Sequence, residues 1–424
     1  MTAQTKNNKH KAIAVLIWSL ATTFYLYENL LQVSQGVIVP ELMREFKLNA
    51  LELSTKLGSI FLVSYSLFQF PVGIMLDRYN TRILLPIAAF ICTLSCYTYA
   101  HSVTVFAAFS SRFFMGIGAS FAALSCLKLA SGWFEHKYFA LLTGLMLSIG
   151  LTGSIIGEGP LLSLVNEHGW RDSLTYIAQC GLLLTILLLA FIKDADKKKD
   201  SKQSIKQTHL DLKQLLKNRQ VWAISLYGML MFTPFLILSN LWGPTFLAQT
   251  YMLDRKVAVD IFGMIFLGFI IGGPLFGFFS DYILSRKKPL MIASSGAAVT
   301  ITLILFCKIN SLLYISSLVF LLGFFTSGFL PAFSIMKEIN KPQVTTAALG
   351  FMNTLNMLGG PVLISLTGFL LEYFWDGATN AGVRVYSDSN FILSFSMLPF
   401  LYILAIFILC NIKETHCKNS YPSE

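Results

Sequence analysis

Four ionisable side chains lie deep inside long apolar runs: Glu28, Arg112, Lys128 and Glu158. A charge in hydrocarbon costs at least about 2.5–3.5 kcal/mol on insertion scales, so such a side chain faces a cavity or a partner. All four fall in the first half of the chain. The second half offers uncharged polar groups instead, among them Thr233, Asn240, Thr326, Asn353 and Asn356. The expected division is coupling chemistry in the first half and a neutral hydrogen-bonding surface in the second.

The chemistry open to each group follows from its depth. Arg112 and Glu158 lie about 20 residues from the same side of their apolar runs, which at about 1.5 Å per residue puts them level within about 2 Å. A pair between them could bind a zwitterionic or anionic solute, exchange a proton, or simply hold two helices together. Glu28 lies near the middle of its run beside Tyr25, Tyr27, Asn29 and Gln32. Burial favours a neutral carboxyl, so Glu28 could take a proton on one side and release it on the other; a buried, hydrogen-bonded carboxyl is the alternative. Lys128 could attract an anionic group, or snorkel to the interface. None of the six histidines, His10, His101, His136, His168, His209 and His416, lies in the middle of an apolar run, which argues against a histidine relay. No Gly-x-x-x-x-Gly-Lys-Ser/Thr phosphate loop occurs, so ATP is not expected to drive the chain directly. No catalytic constellation or metal spacing occurs either; neither an enzyme, a cofactor nor a metal is expected.

These residues must be carried by membrane helices. Apolar residues make up 55% of the 424 and charged ones 13%, whereas soluble domains carry roughly 25% charged residues. About twelve runs reach the roughly 20 residues a spanning helix needs: 12–38, 52–76, 83–102, 103–133, 138–166, 171–192, 220–249, 258–280, 288–307, 311–336, 343–374 and 390–412. Most of the 32 Lys and Arg residues fall on one side of this arrangement. That positive-inside pattern puts both termini in the cytoplasm and explains the net charge of +10 without nucleic acid. The domain reading is a tail at 1–11, a six-helix bundle at 12–193, a basic linker at 194–219, a second bundle at 220–413 and a tail at 414–424. Leu210 to Leu216 has the spacing of a short amphipathic helix on the inner surface, or belongs to a solvated linker. The seven cysteines form no metal or disulfide spacing, and the first apolar run is too long for a cleavable signal.

The two halves repeat. Gly73, Asp77 and Arg82 recur as Gly277, Asp281 and Arg286 with the same spacing, each set where an apolar run meets a basic loop. Gly157-Glu158-Gly159-Pro160 corresponds to Leu358-Gly359-Gly360-Pro361. A repeat of this kind in a polytopic membrane protein flanks a central binding site. The correspondence sets Gly359 opposite Glu158, so the fold itself does not call for a carboxylate there.

On these residues the chain resembles the major facilitator superfamily. Gly73, Asp77, Arg78 and Arg82 match its Gly-x-x-x-Asp-Arg-x-Gly-x-Arg loop, with Asn80 replacing a glycine; Gly277, Asp281, Arg286 and Lys287 keep part of the second copy, with Tyr282 replacing the first arginine. Arg112, Gly116 and Gly118 are similar to the family's fourth-helix motif. Leu127-Lys128-Leu129, Trp133-Phe134, Leu241-Trp242-Gly243 and Leu349-Gly350-Phe351-Met352-Asn353 resemble a bacterial branch grouped with the lysosomal dipeptide transporter and phagosomal nutrient transporters. That branch leads us to expect an arginine near Gln32. The resemblance implies an all-α membrane protein of twelve transmembrane helices in two pseudo-symmetric six-helix bundles. It implies a monomeric secondary active transporter in a bacterial inner membrane, moving a small polar organic solute by alternating access with protons. An amino acid or short peptide is the expected cargo. The alternatives are a polycarboxylate or carboxylate siderophore, export rather than import, and, in another class, a non-transporting receptor or scaffold. Gly73, Asp77, Arg78, Arg82, Gly277, Asp281 and Arg286 are expected to gate; Glu28, Arg112, Glu158, Lys128, Tyr25, Gln32, Asn240, Asn353 and Asn356 are expected to bind solute or couple protons.

Overall fold

A chain with this much apolar surface must satisfy its backbone internally, and helices do so segment by segment. The computed structural model describes residues 3–134, 139–194, 215–309, 311–340, 345–380 and 383–418; within these, 3–11, Phe70, Asp77, Arg78, 139–141, 345–347, Asn380 and Val383 are described by backbone alone. The expected linker helix Leu210 to Leu216 lies outside the described residues up to position 214. Contacts divide the chain into two compact units, Met1–Glu41 with Ile60–Lys198, and Leu42–Ser59 with Lys199–Glu424.

The first unit is built from α1 (Ala3–Val37), α4 (Ser59–Arg78), α5 (Thr81–Ala100), α6 (Val105–Ala119), α7 (Ala122–Trp133), α8 (Phe139–Ile156) and α9 (Gly159–Phe191); α2 (Val39–Phe46) leads out of it and α3 (Ala50–Leu53) belongs to the second. Ten apolar helical segments among the described residues have the length of a membrane crossing. The longest, Leu142–Phe191, turns at Gly169 (φ 80°) and makes two crossings; a side chain disfavours that backbone conformation. Arg171 secures the turn by donating Nη2 to Ser102 O at 2.6 Å and Nη1 to Ala100 O at the end of α5. Helix α4 completes the expected twelve crossings.

In the first unit α1 packs along α8 through a stripe of glycines. An added Cβ at Gly150 would strike the Tyr25 ring, at Gly153 the Leu26 carbonyl, and at Gly157 the Val33 side chain. Small residues let two backbones approach, which is how helices associate where lipid removes the hydrophobic drive. The Gly153→Ala protein should lose about 1–3 kcal/mol to overpacking, read as a lower melting temperature in detergent.

The second unit contains α10 (Arg219–Ile237), α11 (Gly243–Thr250), α12 (Arg255–Phe262), α13 (Met264–Tyr282), α14 (Lys287–Phe306), α15 (Leu312–Ser327), α16 (Pro331–Glu338), α17 (Thr345–Tyr373), α18 (Asp388–Phe395) and α19 (Met397–Asn411). It also takes in residues 42–59, which the sequence places in the first bundle. That segment is held by hydrogen bonds: Ala50 N to Tyr386 Oη (2.8 Å), Trp242 Nε1 to Ser54 Oγ (3.2 Å), and Ser59 Oγ to Pro361 O (2.9 Å). Two π-helical turns, Ser54–Gly58 and Leu238–Trp242, meet here, with Gly58 set against Leu241. A small departure from the all-α expectation is a two-residue hairpin, β1 (Thr379–Asn380) with β2 (Val383–Arg384).

Candidate functional site

Helix α1 carries a polar face. Tyr25, Glu28, Gln32 and Gln35 recur at spacings of three and four, which sets them on one side of a helix. Glu28 is 1% exposed and accepts a single hydrogen bond, from Asn29 Nδ2 at 3.0 Å. Tyr25 on α1, Tyr65 on α4, Cys92 on α5 and Cys126 on α7 are the titratable groups within its electrostatic reach. No cation pairs with it among the described residues. Tyr25 is half-buried and its carbonyl accepts from Asn29 at 2.8 Å.

Arg112 on α6 is 1% exposed. It donates Nη1 to Leu31 O at 2.9 Å and Nη2 to Gln32 O at 3.5 Å, and its guanidinium lies 4.8 Å from the Phe61 ring centre and 5.9 Å from that of Tyr99. Its Nε has no partner. Glu158 caps the junction of α8 and α9; it is 0% exposed and neither carboxyl oxygen has a partner. The equal depth of the two groups suggested an ion pair, and they form none. The reason lies in how each approaches α1: Arg112 reaches the Leu31 and Gln32 carbonyls from α6, whereas Gly157, next to Glu158, lies against Leu30 O and Val33. Arg112 and the Glu158 junction are thus level along α1 and approach it from different helices.

Lys128 is half-buried, and its Nζ donates to Leu76 O and to Tyr79 O (3.2 Å), carbonyls at the end of α4. There a cation complements the negative end of the helix dipole. In the second unit Asn240 is buried in the π-turn, donating to Leu236 O at 2.9 Å. Asn353 is half-buried on α17. Asn356 is 1% exposed, faces Gly228 on α10, and has no partner for either side-chain polar atom.

The repeated loops behave differently from one another. Gly73 and Gly277 both have open space where a Cβ would stand. The side chains of Asp77 and Arg78 lie outside the described residues, and that of Arg82 is exposed. In the second copy Arg286 is buried, donating Nη1 to Asp281 Oδ1 (2.6 Å) and Ser280 Oγ (3.0 Å), and Nη2 and Nε to Glu338 Oε1 (2.7 and 3.1 Å). Glu338 was missed from sequence.

Two further acids were missed. Asp194 accepts from the backbone N–H of Thr81 (3.0 Å) and Arg82 (3.2 Å), at the start of α5. Glu414 accepts from the N–H of Arg286 (2.8 Å) and Lys287 (3.0 Å), at the start of α14. Each thus satisfies orphan N–H groups that a helix start leaves. A signal was present: Ile192-Lys193-Asp194 and Ile412-Lys413-Glu414 are themselves a repeat. Partial burial alone would raise the Glu414 carboxyl, yet the donors from Ser285, Arg286, Lys287 and His416 bring it from the ordinary 4.5 down to about 2. A folded-state value below the unfolded one means that this stabilisation is complete above the ordinary range and is lost as pH falls from 4.5 towards 2. The melting temperature of the native chain should drop more steeply across that window than that of the Glu414→Gln protein.

Three comparisons bear on this arrangement. The Major Facilitator Superfamily model matches residues 17–363 and again 237–416. An uncharacterized transporter of Bacillus subtilis is 25% identical over 90% of this chain and 91% of its own, and the hexuronate transporter of the same species is 23% identical over 80% and 83%. Among solved structures, a bacterial homologue of the human lysosomal transporter Spinster superposes with a TM-score of 0.77 at 14% identity, over 93% of this chain and 96% of that one. With twelve crossings, a doubled loop and a family match over most of its length, the chain belongs to the Major Facilitator Superfamily and is a multi-pass membrane transporter.

Proposed function

We propose that this transporter is a proton-driven secondary carrier, working as a monomer by alternating access in a bacterial inner membrane, with both termini cytoplasmic. Its cargo on this reading is a small polar organic solute, an amino acid or short peptide. The observation that carries the proposal is the pair of deeply buried carboxyls, Glu28 and Glu158, neither of them paired with a cation among the described residues. A permanently charged group in that position would be costly, and one that gains and loses a proton as the bundles open to either side is a coupling device. Glu28, supported by Asn29 and Tyr25, is assigned to the proton. Arg112, with Gln32 beside it, is assigned to the solute; Asn240, Asn353 and Asn356 are assigned to solute binding on the side of the second unit. Lys128 contributes to holding α4. The loops around Gly73 and Gly277 are assigned to gating, with Asp77, Arg78 and Arg82 in one copy and Asp281 and Arg286 in the other.

Similarity to a hexuronate transporter supports a second cargo reading, a sugar acid held by Arg112. The test is uptake into proteoliposomes with an imposed pH gradient, inside alkaline. Labelled amino acids should accumulate, and collapsing the gradient should stop accumulation. Uptake that ignores the gradient would remove protons from the mechanism; a correctly inserted protein that carries no solute would favour a sensing role.

A further inference from the structure

The ends of three helices are tied together where α19 finishes. Gln220, in the first turn of α10, donates Nε2 to Asn411 O at 3.1 Å and accepts from Lys413 N at 2.9 Å. Lys287, the first residue of α14, donates Nζ to Cys410 O at 3.2 Å. This knot brings four cations to one rim: Arg219 beside Gln220, Lys287 and Lys288 at the head of α14, and Lys413 just past α19. Arg219, Lys288 and Lys413 are exposed, and no carboxylate pairs with any of the four side chains among the described residues. Arg286, the neighbour of Lys287, is buried and meets two carboxylates, Asp281 and Glu338. Glu414 is close by, but its oxygens are taken up by the Ser285 hydroxyl and by backbone N–H groups. A positive-inside bias accounts for the side on which these cations fall; it does not account for their convergence on one rim without acids.

Beyond the rim, α14 and α19 pack side by side and each presents an apolar stripe. Lys288 heads the one on α14, which continues through Ile292 and Val299 at helical spacing. Lys413 follows the one on α19, where Phe400 and Phe407 are 62% and 65% exposed. In spanning helices such stripes face hydrocarbon. We propose that this rim binds the phosphate headgroup of an anionic phospholipid, with the acyl chains lying along the α14 and α19 stripes. An anionic lipid complements both parts of the surface; a soluble anion would use only the cations, and a neutral lipid only the stripes. Basic clusters at the membrane surface attract anionic lipids in this way. The orientation proposed above assigns the rim to the cytoplasmic leaflet; the binding itself rests neither on that orientation nor on the cargo.

The experiment titrates the full-length protein in a neutral detergent with phosphatidylglycerol, with phosphatidylcholine and with inorganic phosphate. The melting temperature is followed, since a ligand of the folded state raises it by mass action. Phosphatidylglycerol should raise it at concentrations where phosphatidylcholine does not, and added salt should weaken the effect. The double variant Lys288→Gln with Lys413→Gln removes two exposed, unpaired cations and should melt with the native protein when no lipid is added. Its apparent affinity for phosphatidylglycerol should fall about 25-fold, about fivefold for each cation lost. Lys256→Gln with Lys337→Gln, an equal loss of charge at exposed positions elsewhere in the same unit, should change that affinity less than about twofold. A native protein that responds alike to the two lipids, or an equal loss in both double variants, overturns the site. A rise with inorganic phosphate as large as that with phosphatidylglycerol overturns the lipid assignment. No transport is measured, so failure here leaves the carrier reading standing, and failed uptake leaves this site standing.

Discussion

The Glu28→Gln protein should carry solute down its gradient and fail to concentrate it. One unit of pH is worth about 1.4 kcal/mol per proton, so a carrier moving one proton with each solute can accumulate about tenfold across a one-unit gradient. Glutamine keeps the shape of the side chain and its hydrogen bond with Asn29, but it has no proton to exchange. Accumulation should fall from near tenfold towards parity, while exchange of labelled for unlabelled solute across equal concentrations continues. The measurement is paired uptake and counterflow in the same vesicles. Retained accumulation in the variant would move coupling to Glu158, the other unpaired carboxyl. The environment of Glu28 makes the prediction sharp, because among the described residues the titratable groups around it are tyrosines and cysteines, with no lysine or arginine to hold a permanent charge.

The second large effect concerns stability. Glu338→Ala would leave the buried Arg286 guanidinium with Asp281, whose side chain is 70% exposed, and with Ser280. Removing one partner of a buried ion pair typically costs about 3–5 kcal/mol; the surviving contacts bring the expectation to about 2–4 kcal/mol. Glu338→Gln, which retains one acceptor, should lose less. Replacing both partners together, Arg286→Met with Glu338→Leu, should recover much of the loss, because apolar groups of similar volume often substitute for a buried pair without penalty. Thermal unfolding in detergent distinguishes these cases. If the alanine variant melts with the native protein, the pair contributes nothing net to the fold.

The crossings were legible because length and hydropathy suffice to mark them, and the loop repeat was legible because Gly73 and Gly277 recur in identical spacing. Depth could be counted as well: Arg112 and Gly157, the neighbour of Glu158, meet α1 at the same height. What counting residues along a helix gives is height, and height carries no information about the side from which each helix approaches, so the absence of an ion pair was not readable. Lys128 shows the same limit, since a four-carbon stem reaches the end of a neighbouring helix as easily as a central cavity. Glu338 acts on a residue far away in sequence, with no local pattern around it to announce a partner; Asp194 also acts at long range, and only the Ile-Lys-acid repeat it shares with Glu414 announces it. Gln35 was within reach, since it continues the face of Tyr25, Glu28 and Gln32; an uncharged amide simply stands out less in an apolar run than a carboxyl or a guanidinium does.

The placement of residues 42–59 has a consequence for dissecting the protein. A chain cut in the region following Asp194 yields a C-terminal fragment missing a piece of its own interior, since Ser54, Gly58 and Ser59 are the neighbours of Trp242, Leu241 and Pro361. Such a fragment made alone would present a raw seam, with an indole lacking its acceptor. Made together, the two fragments should find each other, because one carries the strap that the other is shaped to receive.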